Sequence, residues 1–100
     1  MFAVKNYKQG PQRLVAACDE DLLGTSHKED KFRLEVPESF YDGMRVGEAE
    51  LGHFLRSATI ANLVGPKTVA IAIGMGLVEA EHVLTIGGVP HAQFLIMEQE

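Results

Sequence analysis

The chain has 100 residues and a net charge of −5, with 46% apolar and 23% charged residues, which excludes a disordered, repetitive or collagen-like polymer and fits one compact domain. Its single cysteine, Cys18, excludes an internal disulfide. The apolar window Val69–Val78 is broken by Gly74 and Gly76 and falls short of the about 20 apolar residues a helical span needs, so a cytoplasmic, non-membrane protein is the expectation.

In chain order, Phe2–Lys8 and Arg13–Cys18 have strand length and flank Gln9-Gly10-Pro11-Gln12, a turn sequence that predicts a hairpin. Asp19-Glu20-Asp21 before Leu22-Leu23-Gly24 predicts a single helical turn closed by glycine. After a polar run, Lys31–Val36 alternates strictly. This places Phe32, Leu34 and Val36 on one strand face and charges on the other, and Pro37 ends the element. Tyr41-Asp42-Gly43 reads as a turn.

Leu51, Phe54, Leu55 and Ala58 recur at spacings of three and four, which predicts a helix over Glu48–Ser57. Pro66 suits a first helical position and Gly76 a stop, so a second helix is expected over Pro66–Met75, apolar on nearly every side and therefore deeply buried. His82–Ile86 and Ala92–Met97 read as two final strands around the loop Gly87-Gly88-Val89-Pro90-His91. Three strands, two helices and two strands are the segregated order of an α+β domain. The expected architecture is a mostly antiparallel sheet with both helices packed on one face. Its expected core is Phe32, Leu34, Val36, Leu51, Phe54, Leu55, Leu63, Val69, Ile73, Val83 and Ile86.

No segment has the glycine and lysine spacing of a phosphate-binding loop, and Cys18 with His27, His53, His82 and His91 lacks the paired spacing of a zinc site. No metal or cofactor is expected. Cys18, Asp19 and His91 are the residue types of a nucleophile, an orienting carboxylate and a base, but a cysteine ending an apolar strand is more simply a small buried hydrophobe.

Asn62 sits among apolar neighbours, where an amide needs partners. If that segment is a helical turn, Thr59 and Asn62 share a side. His91 follows Pro90 in a glycine-containing loop, a place that holds an imidazole for binding or for capping the last strand. Thr59, Asn62 and His91 are thus a candidate small-molecule or enzymatic site. A second candidate rests on charge asymmetry: residues 1–33 sum to +1 and the remainder to −6. Lys5, Tyr7, Arg13, Lys31 and Arg33 on one outward sheet face would meet phosphates and stack one base, the alternative being ordinary solvated charges. Three function classes follow: an accessory of an RNA or ribonucleoprotein complex, a small-molecule or catalytic protein, and a protein–protein contact module, which would show an exposed apolar patch and no polar pocket. The absence of catalytic signatures favours the first. Oligomeric state stays open.

Cys18-Asp19-Glu20-Asp21-Leu22-Leu23-Gly24, Ala58-Thr59-Ile60-Ala61-Asn62-Leu63-Val64-Gly65 and Gly87-Gly88-Val89-Pro90-His91-Ala92-Gln93, taken together and in this order, resemble a small archaeal family, domain of unknown function 424. The resemblance spans nearly the whole chain. It implies a small cytosolic archaeal protein and supplies no mechanism.

Overall fold

The computed structural model describes residues 1–96; Met97, the expected end of the last strand, lies outside them. The first hairpin forms as expected, with β1 (Phe2–Gln9) antiparallel to β2 (Gln12–Asp19). One 3-10 turn (Glu20–Leu22) follows. Next comes a separate antiparallel ribbon of β3 (Ser26–Glu29) and β4 (Phe32–Glu35). A single helical turn α1 (Glu38–Tyr41), a short strand β5 (Met44–Val46), and the helix α2 (Glu48–Ser57) lead to β6 (Ile60–Val64). The chain closes with α3 (Pro66–Gly74), β7 (Leu84–Ile86) and β8 (Val89–Leu95).

The main sheet has the order β5-β1-β2-β6-β8-β7, and every neighbouring pair is antiparallel except β2 with β6. The α+β class is therefore as the element pattern predicted. Helices α2 and α3 pack on one face, burying Val4, Val15, Ala17, Leu51, Leu55, Leu63 and Val69. The ribbon and α1 cover part of the opposite face, where Ala3, Ala16, Cys18, Leu34, Val36, Tyr41, Val64, Ile86 and Val89 form a second core. Coverage on both sides explains why β2 buries Val15 to Asp19 without alternation, the pattern otherwise typical of a strand with no solvent face.

Four expectations are corrected. The segment Ala58–Val64 contains the central strand β6 and not a helical turn, because its β-branched Ile60 and Val64 fit a pleated site between two neighbours. Ser26–Glu29, read as part of a polar loop, is a strand, since the Lys31–Val36 segment needs a partner and finds it locally. Met44–Val46, for which the sequence predicts no element beyond the preceding turn, is a strand and pairs with β1. Phe32 is absent from the core: it stands near the ribbon's turn and is 62% exposed. Most of the remaining expected core is buried, with Phe54, Ile73 and Val83 half-buried against it.

Candidate functional site

The β2–β6 pair is the sheet's parallel pair, and the loops leaving its carboxyl ends define a crevice of about 400 Å³ lined by Met1, Asp19, Glu20, Asp21, Leu22, Pro66 and Lys67. Such crevices are where open sheets with parallel strands place ligands. Here the electropositive end of α3 already has an occupant. The Asp19 carboxylate accepts from the backbone N–H of Lys67 at 3.1 Å, the N–H of Thr68 at 2.8 Å and the Thr68 hydroxyl at 2.7 Å. A side chain from another strand thus does the work of an N-cap, satisfying donors that a helix leaves free.

Gly65 makes this approach possible. Its φ is +112°, and a Cβ there would lie 2.5 Å from Asp19 Cγ. Its N–H donates to Pro90 O at 2.9 Å. The three segments that carry the family resemblance, far apart in the chain, therefore meet around Gly65.

Cys18, Val64 and His91 lie in one row across β2, β6 and β8. Two interstrand spacings put Cys18 and His91 about 10 Å apart with Val64 between them. Burial first, and the neighbouring Asp19 carboxylate second, push the Cys18 thiol up to about 12. A protonated, buried thiol whose nearest carboxylate is spent on α3 has none of the activation a nucleophile needs. The Cys18–Asp19–His91 constellation is not assembled, and the buried-hydrophobe reading of Cys18 holds. Tyr41, in the same core, is also raised to about 12, chiefly by burial.

The second candidate set is only partly brought together. Thr59 lies before β6 and stitches it to β2: its N–H donates to Arg13 O at 2.8 Å, and its hydroxyl accepts from the Arg13 N–H and donates to Gln12 Oε1, both at 2.9 Å. By strand alternation Thr59 belongs to the helix-side register, opposite to Asn62. Asn62 and His91 do share the other face, as diagonal neighbours across β6 and β8, a separation of roughly 7–8 Å between backbones. Asn62 Oδ1 accepts from Gln93 Nε2, and burial lowers the His91 imidazole below its ordinary 6.5. No third polar group from the predicted set joins them.

The expected basic sheet face is divided. Phe2 and Val4 do face α2 and α3, and Lys5 and Tyr7 do face away. Lys31 and Arg33, however, belong to the separate ribbon and its turn, not to the sheet beside Lys5. Lys5 Nζ donates to Ser39 O at 2.9 Å and lies 5.5 Å from the Tyr7 ring centroid. The Tyr7 hydroxyl donates to Phe40 O at 2.9 Å while its ring stacks on Phe40 at 5.4 Å. A tyrosine held by a cation, a carbonyl and another ring serves the packing of α1 rather than a free stacking platform. Arg13 Nε donates to Ser57 O, which holds it near the end of α2.

The ribbon presents Lys31 and Arg33 of the expected basic set together with Lys28 and with Phe32, expected in the core. Lys28 stands directly opposite Arg33, and Glu29 opposite Phe32. Glu29 Oε1 accepts from Gly87 N–H at 2.9 Å, and Leu34 is buried against the sheet. The Thr25 hydroxyl donates to Leu22 O at 2.6 Å, so it accepts from His27 Nε2–H at 2.8 Å, which assigns the imidazole proton to Nε2. These contacts fix the ribbon's base and inner side, leaving Lys28, Lys31, Phe32 and Arg33 exposed. The signal available in the sequence was Phe32 between two cations, overshadowed by the strict alternation that made it look like core.

Among the described residues no cluster of histidine, cysteine and carboxylates has the arrangement to hold a metal ion, and no helix is long and apolar enough to cross a membrane.

Fold and site define a small α+β protein with two helices on one face of a six-stranded sheet and an exposed two-stranded ribbon on the other. The family described as Protein of unknown function (DUF424) matches residues 7–97, and the chain belongs to that family. A crystal structure of an uncharacterized conserved protein from Methanopyrus kandleri is similar at a TM-score of 0.81 and 26% identity, covering 99% of this chain and 96% of that one. No curated protein matches.

Proposed function

We propose that the protein is a cytoplasmic binding module that contacts single-stranded RNA through the β3–β4 ribbon, as an accessory of an RNA or ribonucleoprotein complex. The observation that carries this reading is Phe32, an apolar ring 62% exposed between Lys31 and Arg33. An exposed ring offers a stacking surface to any base; by strand alternation Arg33 and Lys28 stand on the ribbon's other face, so a bound strand would pass around the ribbon's tip to bring its phosphates to those cations. Lys28 opposite Arg33 is a like-charge cross-strand pair, which weakens an isolated ribbon and gains from an anion placed between them. Glu35, 3.3 Å from Arg33 Nε, offsets part of that charge. With a net charge of −5 the whole molecule repels nucleic acid, so binding rests on a few local contacts.

Fluorescence anisotropy with a labelled single-stranded RNA tests this. Three phosphate contacts predict a log–log salt slope of about −2, and Lys31→Ala should reduce its magnitude by about 0.7. Phe32→Ala should cost about 1–3 kcal/mol of binding with an unchanged slope. Tyr7→Phe should change nothing. Absence of binding, or binding indifferent to Lys31, Phe32 and Arg33, overturns the reading.

A second reading, a protein–protein contact module, is favoured by Leu84 and Leu95, 60% and 63% exposed on the sheet face that the ribbon leaves open.

A further inference from the structure

The two edges of the main sheet are guarded differently. On one side β5 covers only Phe2–Val4 of β1. The uncovered stretch carries Lys5 and Lys8, side chains that discourage strand addition. On the other side β7 covers only Val89–His91 of β8. The uncovered stretch Ala92-Gln93-Phe94-Leu95-Ile96 has no charge and no proline, and Leu95 and Ile96 are 63% and 41% exposed.

The hydrogen-bonding register of this edge follows from its neighbours. Gly65 N–H donates to Pro90 O, and Ile96 N–H donates to Thr59 O, so the even-numbered residues of β8 bond inward to β6. Gln93 and Leu95 therefore direct their backbone N–H and C=O groups outward, beyond the end of β7. Two outward residues separated by one inward residue are self-complementary under a two-fold axis. Gln93 meets Leu95 of a second copy, Leu95 meets Gln93, and Phe94 lies on the axis. Four backbone hydrogen bonds close in that register. An uncharged edge is also the kind that tolerates itself in a net-acidic protein, since a two-fold contact sets each side chain near its own kind.

We infer that the Ala92–Ile96 edge of β8 pairs antiparallel with the same edge of a second copy, joining two six-stranded sheets into one. The inference rests on the contact-module reading and is independent of RNA binding. Leu95 of each copy gains apolar cover on the open face, and the contact leaves both ribbons outside the pairing edge.

Sedimentation equilibrium of the purified chain from micromolar to millimolar concentration tests it, in the absence of nucleic acid. The wild type should show a reversible monomer–dimer equilibrium. Leu95→Pro removes an outward N–H that the monomer does not use, and Leu95→Lys installs the guard present on the other edge. Each should raise the dimer dissociation constant more than tenfold, whereas Lys8→Ala should leave it unchanged. Far-UV circular dichroism reports whether each variant is folded. Amide exchange of the wild type supplies a readout that needs no variant: protection at Gln93 and Leu95 should rise with protein concentration, and that at Lys5–Lys8 should not. A wild type monomeric up to millimolar concentration overturns the inference and leaves the RNA reading to its own titration. So does a dimer that both folded variants leave intact, or concentration-dependent protection elsewhere than at Gln93 and Leu95.

Discussion

Replacing Asp19 should separate its structural duty from any ligand role in the crevice it borders. Its carboxylate holds three donors at the start of α3, two of them on the fully buried Thr68. In Asp19→Ala the Thr68 N–H and hydroxyl lose their acceptor, at about 1–3 kcal/mol for each buried donor left unmade. The Lys67 N–H, at the exposed side, turns to water. Partial hydration from the adjoining crevice reduces the total, and about 3 kcal/mol is expected. For a domain of this size that lowers Tm by roughly 12–24 °C. Asp19→Asn retains one acceptor and should lose about half as much.

Gly65→Ala is a coupled test, because the added Cβ would lie 2.5 Å from Asp19 Cγ and 2.9 Å from Asp19 Cβ. Removing the carboxylate relieves the first of these contacts, so the two substitutions should be less than additive by at least about 0.5 kcal/mol. Urea unfolding followed by circular dichroism measures all four proteins. An Asp19→Ala variant within about 0.5 kcal/mol of wild type would refute the cap, and strict additivity would refute the close approach.

Other expectations follow from the same structure. Leu55→Ala, at a fully buried site between α2 and the sheet, should cost about 2–5 kcal/mol in urea unfolding. Cys18, with its thiol at about 12, should resist a thiol reagent at pH 8 in the folded protein and react at the rate of opening; rapid labelling under native conditions would contradict its burial. His91 should titrate below 6.5 by proton NMR. Because its folded value lies below its unfolded one, the unfolded state binds the proton more readily. Its contribution is unaffected well above 6.5 and is lost as pH falls through 6.5 toward the folded value. His91→Gln should therefore lose less stability than wild type between pH 7.5 and pH 5.5, and an equal loss would show that His91 is not responsible.

The parts of the fold legible in sequence were those whose periodicity was decisive. Leu51, Phe54 and Leu55 mark α2, Pro66 marks the start of α3, and Gly10-Pro11 marks the first hairpin. Strand β6 was obscured because a short run such as Ile60–Val64 has no period long enough to separate strand from helix. That one element also carries the parallel pairing, so the position of Thr59 opposite to Asn62 went unseen with it. Alternation in Phe32-Arg33-Leu34 was read correctly as a strand, but alternation does not reveal how far a covering ribbon extends over its sheet. Leu34 reaches the core and Phe32 passes beyond it. The cap by Asp19 joins positions 48 and 49 residues apart. Only the unusual backbone demanded of Gly65 hinted at a close neighbour.

The central claim is that RNA meets this protein at the ribbon. A titration of the isotope-labelled protein with a short single-stranded RNA, followed by amide and aromatic NMR shifts, reads that contact residue by residue. The account predicts progressive shifts at Lys28, Lys31, Phe32 and Arg33, with the Phe32 ring moving upfield under a stacked base and Lys5, Tyr7 and Arg13 still. Shifts confined to the crevice at Asp19 and Lys67 or to the β8 edge, or none at millimolar RNA, would contradict it.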